Sequence, residues 1–226
     1  MGMAKVQGFL FEYLNAEEFR ALKREIFSEH RYYIELGTSR PRIIDAGAHI
    51  GLATGYFRWL YPEALITAIE PNPQLMSILQ NNLELNQWWT VMVEAVALAG
   101  NRGSVPFFFD KSPDKWYSTG GLTRGAWNGR QESSEIQVAA VPLTDYLSEP
   151  VDLLKLDIEG AEEEVLQAAD DRIKDVKHII MEYHPQEGNS LDEIKRFLEI
   201  HDFRVEVKKG RPRDEGLVMV EAHRRQ

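Results

Sequence analysis

The sequence predicts an α/β fold in a single domain, with a mainly parallel sheet covered by helices on both faces. Three observations lead there. Short apolar runs alternate with helical segments through most of the chain, as in strand–helix–strand crossovers. No Pro-, Ser- or Gly-rich linker divides the 226 residues. Their 43% hydrophobic content is enough for one sizeable core.

The elements follow in order. Residues 1–40 are expected to form an N-terminal helical cap on a core spanning 41–226. Asn15 starts a helix with Glu18 at its third position, a capping-box spacing, and Phe19, Leu22, Ile26 and Phe27 share one face. After Pro41 comes a strand through Ile43 and Ile44, then a glycine turn and a helix. ALITAIEP is a strand stopped by Pro71, and Asn72 opens a helix with Leu75, Met76, Leu79 and Leu83 inward. TVMVEAVAL is the third strand. SVPFFFD and EIQVAAVPL read as two strands joined by a long loop, 112–131, that holds Trp116, Tyr117, Gly120, Gly121 and Trp127. Aromatic faces with glycine hinges suit a lid over a sugar or planar acceptor. VDLLKLD and HIIMEYH are the fourth and fifth strands around the helix GAEEEVLQAAD. Ser190 caps the last helix, and FRVEVK with GLVMVEAH closes the chain as a β-hairpin, supplying an antiparallel edge.

Charge and composition exclude several classes. The net charge of −10 argues against affinity built on many phosphate contacts, so nucleic acid is not an expected partner. Without cysteine there is no disulfide framework, thiolate metal site or cysteine nucleophile. No apolar run approaches the roughly 18 residues of a spanning helix. The N-terminus lacks a signal-peptide pattern, and Val6 breaks the myristoylation motif. The expectation is a cytoplasmic protein with no membrane partner. The sequence leaves its oligomeric state, monomer or homodimer, open.

The stretch IIDAGAHIG is a strand-to-helix turn carrying Gly47 and Gly51, whose spacing differs from the Gly-x-Gly-x-x-Gly of dinucleotide binders. Asp45 beside the turn would repel a pyrophosphate and favour an ammonium group or a bridging water. Glu70, 19 residues past Gly51, ends the next strand, where an acid can accept both hydroxyls of a ribose. Together these acids favour S-adenosylmethionine over NAD.

IIDAGAHIG, AIEPNP, VEAVAL and DLLKLDIEGAEEEVL, in this order and spacing, resemble the FkbM-type class I S-adenosylmethionine-dependent methyltransferases. The resemblance covers about residues 41–185. It implies a Rossmann-like fold, a seven-stranded sheet with an antiparallel last strand, and methyl transfer to a hydroxyl of a sugar or natural product. Carried over motif by motif, the cofactor residues would be Asp45, Gly47, His49, Gly51, Glu70 and a residue at Ala95 or Val96 beside the adenine. His49 is a departure, since the family pattern has Asn there.

In LLKLDIEG, strand alternation separates Leu154 and Leu156 from Lys155 and Asp157. Asp157 falls at the carboxyl end of the strand, facing the transferable methyl. Glu182 and His184 share a face at the end of the fifth strand, with His184 a general-base candidate. Glu159 divides between a helix-start carboxylate and a site residue. A divalent cation held by Asp157 and Glu182 is conceivable but not favoured. His30 and His201 end helices, where histidine suits the dipole, and His178 and His223 have no context. Two rival functions remain. One is RNA 2′-O-methylation, suggested by Lys155, Asp157 and Glu182 but opposed by the acidic charge. The other is non-catalytic S-adenosylmethionine binding.

Overall fold

A computed structural model describes residues 1–110, 116, 120–124, 133–186, 188–209 and 217–225. The chain opens differently from the expected helical cap. Gly2–Val6 (β1) and Phe9–Tyr13 (β2) form an antiparallel hairpin through Gln7 and Gly8, whose φ values of 48° and 94° suit a tight two-residue turn. Phe11 is fully buried and meets Trp88 and Phe27 edge-on. These short strands alternate without a long apolar run, which is why the sequence does not announce them. Asn15 then caps α1 (Ala16–Lys23), accepting from the amides of Glu17 and Glu18, and one wider turn at Arg24–Ser28 extends it.

The main sheet has the order β11-β12-β10-β9-β3-β4-β5. Its parallel members are β3 (Arg42–Ala46), β4 (Leu65–Ile69), β5 (Val91–Glu94), β9 (Val151–Leu156) and β10 (Val176–Tyr183). The last strand, β12 (Val218–Arg224), is antiparallel as expected but is not the edge. It lies between β10 and β11 (Phe203–Lys209). Val220 and Ala222 of β12 are buried, whereas the outer β11 carries Arg204, Glu206 and Lys208, charges that suit an exposed strand.

Alternate side chains serve two cores. Ile43 and Leu153 face α1, α2 (Leu52–Leu60), α3 (Pro73–Leu85) and the hairpin, while Ile44 and Leu154 face α4 (Glu162–Ala169) and α5 (Leu191–Ile200). The third predicted strand divides. Val91–Glu94 stays in the main sheet, and β6 (Ala97–Leu98) joins β8 (Ser133–Val141) and β7 (Gly103–Asp110) in a small second sheet.

Asn82 and Asn86, one turn apart on α3, act as a substitute strand for β2. Asn86 exchanges two hydrogen bonds with the backbone of Leu10, and Asn82 exchanges two with that of Glu12. Asn82 also donates to the carbonyl of Ile50 at 2.8 Å. One buried amide thus ties the hairpin to the glycine turn. Among the described residues, no helix is long and apolar enough to cross a membrane.

Candidate active site

The strand order reverses between β3 and β9, and a crevice opens beyond the carboxyl ends of strands at such a point. The turn after β3 reaches into it. Gly47 has φ 75°, and a Cβ there would fall 1.8 Å from the carbonyl oxygen of Asp157, so β9's end and this turn touch backbone to backbone. Gly51 has φ 89° and serves packing instead. It caps α2 against Leu79 and does not line the cavity.

Beneath the turn lies Lys155. It is 2% exposed and stands opposite Asp45 in the β3–β9 ladder. Its ammonium donates to the carbonyls of Gly47 (2.7 Å) and Ala46 (3.2 Å) and pairs with Asp45 (3.3 Å) and Asp157 (3.5 Å). Burial works against the charge, but Asp45 and Asp157 outweigh it and hold Lys155 above the ordinary lysine range. Asp45 lies apart from the place expected for it. Its carboxylate is fully buried, takes the Thr54 hydroxyl at 2.6 Å, and does not line the cavity. The ammonium it receives is the protein's own. Lys155 in turn is committed to the turn, which removes it from the lysine–carboxylate set that suggested RNA chemistry.

The cavity is walled by Gly47, Ala48, His49, Ile69, Glu70, Pro71, Val96, Leu98 and Asp157, among others. Glu70 is 5% exposed and accepts from the amides of His49 (2.9 Å) and Asn72 (2.8 Å). Burial raises its pKa, and those amides oppose the shift. His49 sits at φ 54°, a left-handed conformation that Asn and His both adopt more readily than most residues, which accounts for histidine in place of the family's asparagine. Its Nε2 lies 3.5 Å from Glu18, yet neither ring nitrogen has a hydrogen-bond partner among the described residues. A glycine cradle, a carboxylate on two amides and an imidazole without a hydrogen-bond partner among the described residues fit a nucleoside ligand. Of the two adenine candidates, Val96 lines this wall, and Ala95 is exposed and does not.

Against the glycine turn, Asp157 is half-buried and accepts from the Tyr32 hydroxyl at 3.2 Å. Burial disfavours its charge, but Lys155, His184 and Arg31 outweigh that and hold it below the usual carboxylate range. Glu159 lines the cavity, with its pKa driven well up by burial. Two other expectations change. Glu182 is not at the cavity: Arg31 holds it at 2.8 Å, and burial, with the charge of Asp157, pushes it up to about 7. His184 is 4% exposed, also off the cavity wall, with Nδ1 on Glu162 at 3.0 Å. Burial opposes its protonation, but Glu159, Glu162 and Asp157 prevail and raise it to about 10. A proton held by three neighbouring carboxylates counts against His184 as a general base.

Of the expected lid, Tyr117 and Trp127 lie outside the described residues. Gly120 and Leu122 do line the cavity, and Gly121 exchanges two backbone hydrogen bonds with Phe108. Sequence reading passed over Tyr32, Arg31 and Glu162. Glu162 begins the acidic run EEE of α4 and could have been marked as the buried one by the helix period. Tyr32 lies in irregular chain and carries no such signal.

Residues 45–205 match the family profile of the methyltransferase FkbM domain. The chain is 32% identical over 193 residues to methyltransferase sdnD of Sordaria araneosa, covering 73% of this chain and 74% of that protein. It is 26% identical over 228 residues to the 31-O-demethyl-FK506 methyltransferase FkbM of Streptomyces tacrolimicus, covering 88% and 86%. Among solved structures, a methyltransferase FkbM from Methylobacillus flagellatus superposes with a TM-score of 0.61 at 16% identity. That alignment covers 87% of this chain and 47% of that one, so the chain spans about half its length. TYW2 of M. jannaschii, solved in complex with AdoMet, has a TM-score of 0.53 at 16% identity and is covered over 86% of its length. The fold is that of class I methyltransferases.

Proposed function

The chain belongs to the FkbM methyltransferase family, and we propose that it transfers a methyl group from S-adenosylmethionine to a hydroxyl of a sugar or natural-product small molecule. The observation that carries this reading is the Glu70 carboxylate, set on two amides at the end of β4 and facing the same cavity as Gly47, Val96 and Asp157. S-adenosylmethionine, when bound, supplies a methyl group activated by a sulfonium. Glu70 accepts the ribose hydroxyls, Gly47 lets the ligand approach the backbone, and the apolar wall of Pro71, Val96 and Leu98 covers the base. Asp157, kept ionised by Lys155, accepts a hydrogen bond from the acceptor hydroxyl, aligns its oxygen and receives its proton. The name of the Streptomyces relative, a 31-O-demethyl compound's methyltransferase, supports oxygen as the acceptor atom.

Calorimetry with S-adenosylmethionine tests the site. Glu70→Ala should weaken binding at least tenfold, and unchanged affinity would remove Glu70 from the cofactor. Incubation with a library of hydroxyl-bearing acceptors separates an enzyme from a mere binder: methylated product is expected, and its absence across the library would favour the binder.

A further inference from the structure

Asp157, Glu159 and His184 bring one ligand atom each to within 4.8 Å of one another. Asp157 and Glu159 follow β9, and His184 follows β10, so the ends of two neighbouring strands converge here. The Nε2 of His184 lies 3.4 Å from Glu159 and 3.9 Å from Asp157. Its orientation is fixed from behind. Glu162, fully buried, holds Nδ1 at 3.0 Å while the same oxygen accepts from the amides of Ile158 and Gly160. A carboxylate on one ring nitrogen that presents the other outward is how metal-binding histidines are oriented.

The charge balance gives a separate reason. Five carboxylates gather at this end of the sheet: Asp45, Asp157, Glu159, Glu162 and Glu182. Their permanent cations are Lys155, shared by Asp45 and Asp157, and Arg31, paired with Glu182. Among the described residues, Glu159 and Glu162 form ion pairs with His184 alone. One imidazole therefore serves two carboxylates and part of a third, in a place where uncompensated charge is costly.

We propose that Asp157, Glu159 and His184 form a binding site for one divalent cation, with Glu162 as the positioning residue behind the histidine. Two carboxylate oxygens and an imidazole nitrogen, whose proton leaves to solvent as the cation takes its place, suit Mn²⁺, Fe²⁺ or Zn²⁺, and Mg²⁺ more weakly. Three protein ligands leave positions free. Because Asp157 and Glu159 line the cavity, those positions face the space assigned to the acceptor, where oxygens of a hydroxyl-bearing molecule can enter. The acceptor's part rests on the methyltransferase reading, whereas the cation site does not.

The test uses full-length protein stripped with chelator and titrated with MnCl₂, with free Mn²⁺ read by electron paramagnetic resonance. Saturation at one Mn²⁺ per chain is expected. Glu159→Gln and His184→Gln should each weaken binding at least tenfold, and Glu162→Gln by about 10- to 100-fold, the range for an orienting partner. Thermal melts confirm which variants fold, and the half-buried Glu159 is the safer position. No saturable binding in the wild type, or unchanged binding in a folded Glu159→Gln variant, would overturn the site. S-adenosylmethionine calorimetry on the same samples keeps the two readings apart. Mn²⁺ binding without cofactor binding would support the cation site and count against the methyltransferase assignment of the cavity.

Discussion

Removing the ammonium of Lys155 tests the centre of the site. Lys155→Met keeps the length and apolar stem of the side chain but leaves Asp45 fully buried, with the Thr54 hydroxyl as its remaining hydrogen-bond donor. It also takes a donor from the carbonyls of Gly47 and Ala46, the latter still accepting from the Asp157 amide, and loosens the Asp157 side chain. Breaking one side of a buried ion pair costs about 3–5 kcal/mol, because the surviving charge stays in a low-dielectric place. A chain of this size loses roughly 2–4 °C of Tm per kcal/mol, so a fall of about 6–20 °C is expected. Asp45→Asn in the same background should restore about 2–3 kcal/mol, since the stranded carboxylate is then gone. Urea melts of the two single variants and the double variant complete the cycle. A loss below about 1 kcal/mol for Lys155→Met, or strict additivity in the double variant, would refute the claim that this pair supports the glycine turn.

Asn82→Ala removes three of the hydrogen bonds that join the hairpin and Ile50 to α3, leaving those of Asn86. Since the strand edge can regain water, about 2 kcal/mol is expected. Hydrogen exchange should show the Glu12 amide losing protection before the main sheet does, and unchanged protection there would contradict the attachment. His178 and His223 face each other across the β10–β12 ladder with their Nδ1 atoms 3.0 Å apart. Burial and the like charge of His223 lower the pKa of His178, so the fold prefers its neutral form. That contribution is complete above about pH 6.5, the unfolded value, and is lost as the pH falls through the lowered folded value. Thermal melts at pH 8 and pH 5 should show a drop that His223→Gln makes smaller.

Much of the sheet was legible because apolar strands and capped helices alternate over most of the chain, and each cap named in advance (Asn15, Asn72, Ser190) accepts a backbone amide. Alternation also separated Lys155 and Asp157 correctly from Leu154 and Leu156. What it could not supply was register. Asp45 looks available to a ligand until β9 is laid beside β3 and Lys155 falls opposite it. His184 looks like a base until Glu159 and Glu162, reached through turns with no periodic signal, surround it. The identity of a charged residue is written in the chain, but its protonation state belongs to neighbours that only the tertiary fold brings close.

Backbone strain marks the same place independently. Among the described residues, seven other than glycine have positive φ. Gln7, His30, Gln87, Asp170 and Asp202 lie in turns or next to helix ends. His49 and Glu159 are the two that line the cavity, at φ 54° and 57°. Such a conformation costs a non-glycine residue on the order of 1–2 kcal/mol, so it persists only where surroundings enforce it. The surroundings here are specific: Glu70 holds the amide of His49, and Gln186 holds the carbonyl of Glu159 at 2.7 Å. Relaxing either residue would turn its side chain away from the cavity. The chain therefore spends stability at two turns that both line one cavity. Packing alone gives no reason to place a histidine and a glutamate there, whereas a ligand held in the cavity does.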